Sequence, residues 1–267
     1  RLSARLDLAY RETAARVPDN DAVTITKTAS GADLSIAPLD RIDEPLSLTD
    51  LHRAIDARLP QLDLPELILE MHARTGFAAA FTHASEGNAR AEDIATTICA
   101  VLVAEATNTG FEPLVRPEVS ALRRSRLSWV KQNFIRAETL TTANALLVAA
   151  HNRIPLARVW GSGEVASADG LRFTVPVRTI HAGPNPRYFG RERGITWYNL
   201  VSDRFSGLNA LTVPGTLRDS LYLLAVVLDQ ETELRPGEIM TDTAGYTDTI
   251  FGIFHLLGLQ FSPRIAD

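Results

Sequence analysis

The chain has 267 residues, 45% hydrophobic and 22% charged, with a formal net charge of −5. That length can bury a substantial core as one large domain or two. The negative balance removes any global-charge argument for nucleic-acid binding, so such contacts would have to come from local patches. The lone Cys99 excludes a disulfide framework and any paired-cysteine zinc site, which suits a reducing cytosol. The six histidines are scattered without ligand spacing, and no apolar run approaches the roughly 20 residues that span a bilayer. There is no signal-peptide pattern and the chain opens on Arg1 rather than Met, so an excised fragment is expected.

Residues 2–17 read as a polar helix. Ala22-Val-Thr-Ile-Thr26 and Ala32-Asp-Leu-Ser-Ile36 alternate around Ser30-Gly31, which predicts a short hairpin. Residues 38–45, charged and bounded by Pro38 and Pro45, read as a linker that closes a first segment over residues 1–60. A helical scaffold is expected over residues 61–155. Its first helix has Asp63 as a cap, Pro65 in its first turn, Leu64, Leu67, Ile68 and Met71 on one side, and Gly76 as its stop. Residues 91–107 are apolar nearly all round and belong in the middle of a helical layer. Residues 119–134 and 137–151 predict two more helices.

The pattern changes near Pro155. Residues 165–168 and 171–177 read as strands joined at Asp169-Gly170, with a third strand over 195–201 and an extension over 209–213. Thr216 can cap a helix, with Asp219 at the capping-box position and a stripe of Leu217, Leu221, Leu224 and Leu228. Residues 238–241 form a short strand that ends at Asp242. A helix follows with Tyr246, Ile250, Phe254 and Leu257 on one face, closed by Gly258, and another strand starts over residues 259–262. The order predicts an α+β chain: a mostly helical region, then a mixed sheet flanked by helices.

Asp169 and Asp242 each stand at the end of a strand-like run. If the strand before Asp242 lies parallel to the one before Asp169, neighbouring backbones are about 4.8 Å apart and the two acids meet at one sheet end. Two such carboxylates repel unless a proton or a cation intervenes. Oxygen ligands of this kind suit Mg²⁺ or Mn²⁺. Equally, Asp169-Gly170 is a hairpin-turn signal, and Asp242 before a helix is a cap or turn residue.

Basic residues gather in two places. Between Arg116 and Arg136 the chain carries Arg116, Arg123, Arg124, Arg126, Lys131 and Arg136 against Glu118 and no other acid, with Trp129 and Phe134 interleaved. They read either as a helix along a phosphate backbone or as a solvated helix face. The stretch from His181 to Gly194 holds Arg187, Arg191 and Arg193 with Tyr188 and Phe189, either a backbone grip or a long surface loop. His151 and His255 fall on helices as structural residues, and loop-borne His181 could touch phosphate. No Ser-His-Asp constellation, phosphate loop or dinucleotide fingerprint is present.

From about Leu62 to Asp267 the sequence resembles the C-terminal half of transposases of the Tn-three family, large enzymes of replicative, cointegrate-forming bacterial transposons. The matching runs are Asp63-Leu-Pro-Glu-Leu67, Arg74-Thr-Gly-Phe77, Arg126-Leu-Ser-Trp129, Arg136-Ala-Glu-Thr-Leu140, Ala166-Ser-Ala-Asp-Gly-Leu-Arg-Phe173, Ile195-Thr-Trp-Tyr198, Val213-Pro-Gly-Thr-Leu-Arg-Asp219, Met240-Thr-Asp-Thr-Ala-Gly245 and Phe261-Ser-Pro-Arg264. The resemblance implies an RNase H-like catalytic domain, here truncated over residues 156–267, with an Asp, Asp, Glu triad that binds two Mg²⁺ ions. Asp169 matches the first Asp and Asp242 the second, both catalytic and metal-binding. The Glu is expected well downstream, outside this chain, and Glu238 is not a substitute. The implied partners are DNA at transposon ends and at the target, and a second subunit in a full-length homodimer, with the protein cytoplasmic and on DNA. The implied reaction is Mg²⁺-dependent strand cleavage followed by transfer of the freed 3′-OH, with the fragment alone inactive. A non-catalytic transposase-derived scaffold or dimerisation module, or another RNase H-like nuclease, are the alternatives.

Overall fold

The computed structural model describes residues 2–29, 31–38, 43–85, 92–217 and 219–264. Contacts divide the chain into two compact units, one over residues 1–60 and one over residues 61–265.

The first unit holds helix α1 (Leu2–Arg16), an antiparallel hairpin of β1 (Val23–Thr28) and β2 (Gly31–Ile36), and helix α2 (Leu46–Asp56). Val23 pairs with Ile36 and Thr28 with Gly31, so the hairpin forms where alternation predicts it. Gly31 has φ +139, a conformation that side chains other than glycine's rarely adopt. None of these four elements contains a buried residue. Part of the expected linker over residues 38–45 lies outside the described residues.

The second unit begins with helices α3 (Leu64–Thr75), α4 (Ile94–Thr107), α5 (Arg124–Asn133) and α6 (Ala137–Asn152). Pro65 sits in the first turn of α3, where its missing N–H costs nothing. Gly76 at φ +70 ends that helix, and its N–H reaches the His72 carbonyl. Asp63 occupies the cap position without a side-chain cap bond. Helix α4 buries Ile98, Cys99 and Val101 in a core with Phe77, Phe81, Leu127, Val130 and Phe134. It is central to the layer, as its all-round apolarity predicts. Helix α5 is shorter than expected. Arg123 is extended at ψ 138 and residues 120–122 form a separate 3-10 turn, so no single helix runs from 119 to 134.

After the short helix α7 (Ala157–Trp160), a mixed sheet is built from β3 (Val165–Thr174), β4 (Gly183–Pro184), β5 (Arg193–Ser202), β6 (Gly207–Pro214), β7 (Glu238–Thr241) and β8 (Gln260–Pro263). Strand β5 is flanked by β3 on one edge and by β4 and β6 on the other, and the sheet continues from β3 to β7 and β8. The turn expected at Asp169-Gly170 does not form. Strand β3 runs straight through it and pairs antiparallel with β5 from Ala166↔Ser202 to Thr174↔Gly194. The ladder it would forfeit by turning outweighs the local Asp-Gly preference. Strands β3, β7 and β8 are parallel, with helix α9 (Leu223–Leu228) between β6 and β7 and helix α10 (Asp248–Leu256) between β7 and β8.

One face of this sheet is sealed by a second core of Ala166, Ala168, Tyr198, Leu200, Val213 and Ile239 against Leu223, Val226, Ile250 and Phe254. The stripe expected on the first crossover helix is therefore displaced. Residues 219–222 form a 3-10 turn, α9 begins at Leu223, and Leu217, Leu221 and Leu228 are exposed. On α10, Ile250 and Phe254 are buried as expected, whereas Tyr246 and Leu257 are exposed. Helix α6 joins the two cores, contributing Ala143 to one and Val148 to the other. His151 on the same helix lies 2.7 Å from the Ser206 hydroxyl, a structural contact.

Candidate active site

Two aspartates emerge together from the parallel pair β3 and β7. Ala168 pairs with Thr241, and both are buried. The next residue along each strand is Asp169 or Asp242, and both are exposed. Neighbouring strands lie about 4.8 Å apart, so the two acids sit side by side where the sheet meets solvent. A one-residue slip would have buried one acid and exposed its neighbour. Both aspartates line one small cleft with Gly170, Arg172, Tyr198, Ser220 and Gly245.

Each carboxylate is held by a nearby backbone N–H. Gly170 donates to Asp169 Oδ1 at 2.7 Å, and Gly245 donates to Asp242 Oδ1 at 3.1 Å. Asp242 is thus the cap of a one-turn 3-10 helix (Thr243–Gly245) as well as a member of the acid pair. Gly245 is needed there, since a Cβ would stand 2.5 Å from the Thr241 hydroxyl and 2.8 Å from its Cβ. One N–H leaves a carboxylate with further acceptor positions. Paired, solvent-exposed oxygen donors beside the end of β7 fit Mg²⁺ or Mn²⁺, which keep several waters and borrow ligands from phosphate. Among the described residues no group of three His, Cys, Asp or Glu side chains could hold a metal. Glu238 lies at the far end of β7, paired with Val165 and Gln260, and does not complete the set.

The expected basic residues divide into two kinds. In the helical layer each has an internal partner: Arg123 Nε donates to the Pro117 carbonyl at 3.1 Å, Arg124 pairs with Glu112, and Lys131 meets Glu105 at 2.7 Å. Arg187, Arg191 and Arg193 are exposed on the segment that leads into β5. That segment is not a plain loop. It contains β4 and the single-turn helix α8 (Pro186–Phe189), opened by Asn185, whose side chain accepts from the Arg187 N–H. Arg172 was not singled out by sequence. It lines the aspartate cleft and lies over the Tyr188 ring at 3.9 Å, with Arg187 at 5.4 Å from the same ring. Its sequence signals are a place three residues beyond Asp169 and membership of the matching run Ala166–Phe173.

Residues 66–267 match the family described as Tn3 transposase DDE domain. The chain belongs to that family. It is 53% identical over 266 residues to the transposase for transposon gamma-delta of Escherichia coli (strain K12), covering 100% of this chain and 26% of the relative. It is 45% identical over 265 residues to the transposase for transposon Tn4556 of Streptomyces fradiae, covering 99% and 29%. Against the transposase for transposon Tn1546 of Enterococcus faecium the identity is 35% over 234 residues, covering 88% and 23%. This Tn3 transposase DDE domain chain therefore spans about a quarter of the length of these relatives. The α+β architecture with its mixed six-stranded sheet is consistent with an RNase H-like fold.

Proposed function

We propose that the chain carries the first two carboxylates of a DNA strand-cleavage and strand-transfer centre, Asp169 and Asp242, within a transposase that acts on transposon ends and target DNA. The observation that supports it is the register of β3 against β7, which brings the two acids together in a member of a family whose domain is named for its acidic residues. Asp169 and Asp242 would hold Mg²⁺ or Mn²⁺. Two ions held there would supply, one each, activation of a water or hydroxyl for attack on a phosphodiester and stabilisation of the leaving 3′ oxygen. The third carboxylate is expected from outside these 267 residues.

The chain's own side chains supply orientation. The Gly170 and Gly245 N–H groups fix the two carboxylates. Arg172, braced on Tyr188, adds positive charge beside the acids, where a phosphate oxygen would otherwise meet only negative groups. Arg187, Arg191 and Arg193 extend that positive edge toward the DNA backbone. Arg123, Arg124 and Lys131 are secondary DNA contacts that would first release their internal partners. A second copy of the intact protein would bind the other transposon end.

The test uses the intact transposase on a transposon-end duplex with Mg²⁺. Asp169→Asn and Asp242→Asn are each expected to lower strand cleavage by at least about a hundredfold, beyond the effect of losing an outer-shell partner, while end binding is retained. Cleavage by either variant at the parent's rate would sink the assignment. The chain alone, with two carboxylates, is expected to bind Mg²⁺ weakly in calorimetric titration, and a tight saturable site would argue against the missing third ligand.

A further inference from the structure

A cavity of about 550 Å³ opens next to the aspartate cleft, lined among others by Arg187, Tyr188, Phe189, Thr196, Thr216 and Tyr246. The two spaces share no lining residue but have neighbouring walls. Thr243 of the cavity follows Asp242 of the cleft directly, and Tyr188 of the cavity supports the guanidinium of Arg172 in the cleft. The volume falls in the range of roughly 300–1,000 Å³ that holds small organic ligands. No Asp or Glu is among its described lining residues. Its positive charge comes from Arg187, and two exposed aromatic rings border it, Tyr188 at 42% and Tyr246 at 55% exposure. Thr196, Thr216 and Thr243 are among its polar lining residues.

One wall of this chamber is fixed by close packing. Phe189 is buried against bare backbone at Gly194 and Gly215, and a Cβ on Gly215 would stand 2.5 Å from the Gly183 carbonyl oxygen. Asn185 ties its segment down by donating to the Gly215 carbonyl at 2.8 Å. The chemistry presented is an arginine for a phosphate, aromatic faces for a flat ring, and hydroxyls for ring edges. A base inside a duplex offers no free face to such rings; an unpaired base does.

We propose that this cavity receives one unpaired DNA nucleotide adjacent to the phosphate at Asp169 and Asp242, with its base against Tyr246 or Tyr188 and its phosphate on Arg187. The proposal rests on the reading of the aspartates as the cleavage centre. Opening the base pair beside the reacting phosphate gives the strand room to enter the narrow cleft, and stacking in the cavity offsets the lost pairing.

The experiment is single-turnover cleavage by the intact transposase of two end duplexes, one fully paired and one mismatched at the base pairs flanking the cleavage position. With the paired duplex, Tyr246→Ala and Arg187→Ala are expected to slow cleavage about tenfold, the scale of one lost base stack. Tyr246→Phe should keep the parent's rate. The mismatched duplex, which needs no help in unpairing, should restore most of the rate in the alanine variants. Variants that cleave the paired duplex at the parent's rate, or a mismatch that rescues none of them, would overturn the proposal. Failure of the aspartate reading shows separately, as normal cleavage by Asp169→Asn on either duplex.

Discussion

At the scale of single residues, the buried Thr241 and exposed Asp242 illustrate how a site is made from alternation. Burial of Ala168 and Thr241 on one sheet face fixes which residues follow them into solvent. Cys99 shows the opposite situation, a chemically reactive group made inert by its place. It is buried in the helical core, and burial pushes its thiol up from 9.0 to about 11. Below about pH 9 both the folded and unfolded states keep the proton, and the contribution to stability is complete. Between about 9 and 11 the unfolded chain loses its proton first, so stability falls as pH rises. Urea unfolding across that window should therefore show a steeper alkaline loss for the parent than for Cys99→Ala. Equal slopes would remove Cys99 as the cause.

At the scale of elements, a strand and a helix depart from their local signals for the same reason. Asp169-Gly170 is a good turn pair, yet β3 passes through it because nine residues of ladder with β5 are gained by continuing. The leucine periodicity over 217–228 is a good helix stripe, yet the helix begins only at Leu223. The buried contacts then fall on Leu223, Val226 and Val227, while Leu221 is 62% exposed. Leu223→Ala is expected to cost about 2–5 kcal/mol. Leu221→Ala is expected to stay within about 0.5 kcal/mol, as surface changes do. Urea denaturation of both variants distinguishes the two registers, and a larger loss at Leu221 would reverse this assignment.

At the scale of the whole molecule, the unit over residues 61–265 carries both hydrophobic cores. Helix α6 contributes to each, and Asn144 adds a bond from the same helix to the Gly207 carbonyl at 2.8 Å. The helical layer and the sheet are thereby coupled through one rigid element. Residues 61–267 expressed alone are expected to fold and to lose far-UV circular dichroism and tryptophan fluorescence at one urea midpoint. Two separated midpoints would mean that the helical layer and the sheet unfold independently. Among the described residues no helix is long and apolar enough to cross a membrane.

Elements with strong periodicity or punctuation were legible from the residues alone: the first hairpin, the central apolar helix α4, the Gly76 stop, the short strand before Asp242, and the family through its runs of matching residues. Local chemistry suffices there because neighbours in sequence are the neighbours that matter. Folding in three dimensions was needed to place Asp169 within a continuous strand, to bring Tyr188 onto Arg172, and to open a chamber between α8 and the turn after Asp242. Those are pairings between segments tens of residues apart. Their geometry follows from sheet register and crossover packing, which many local patterns could equally well satisfy.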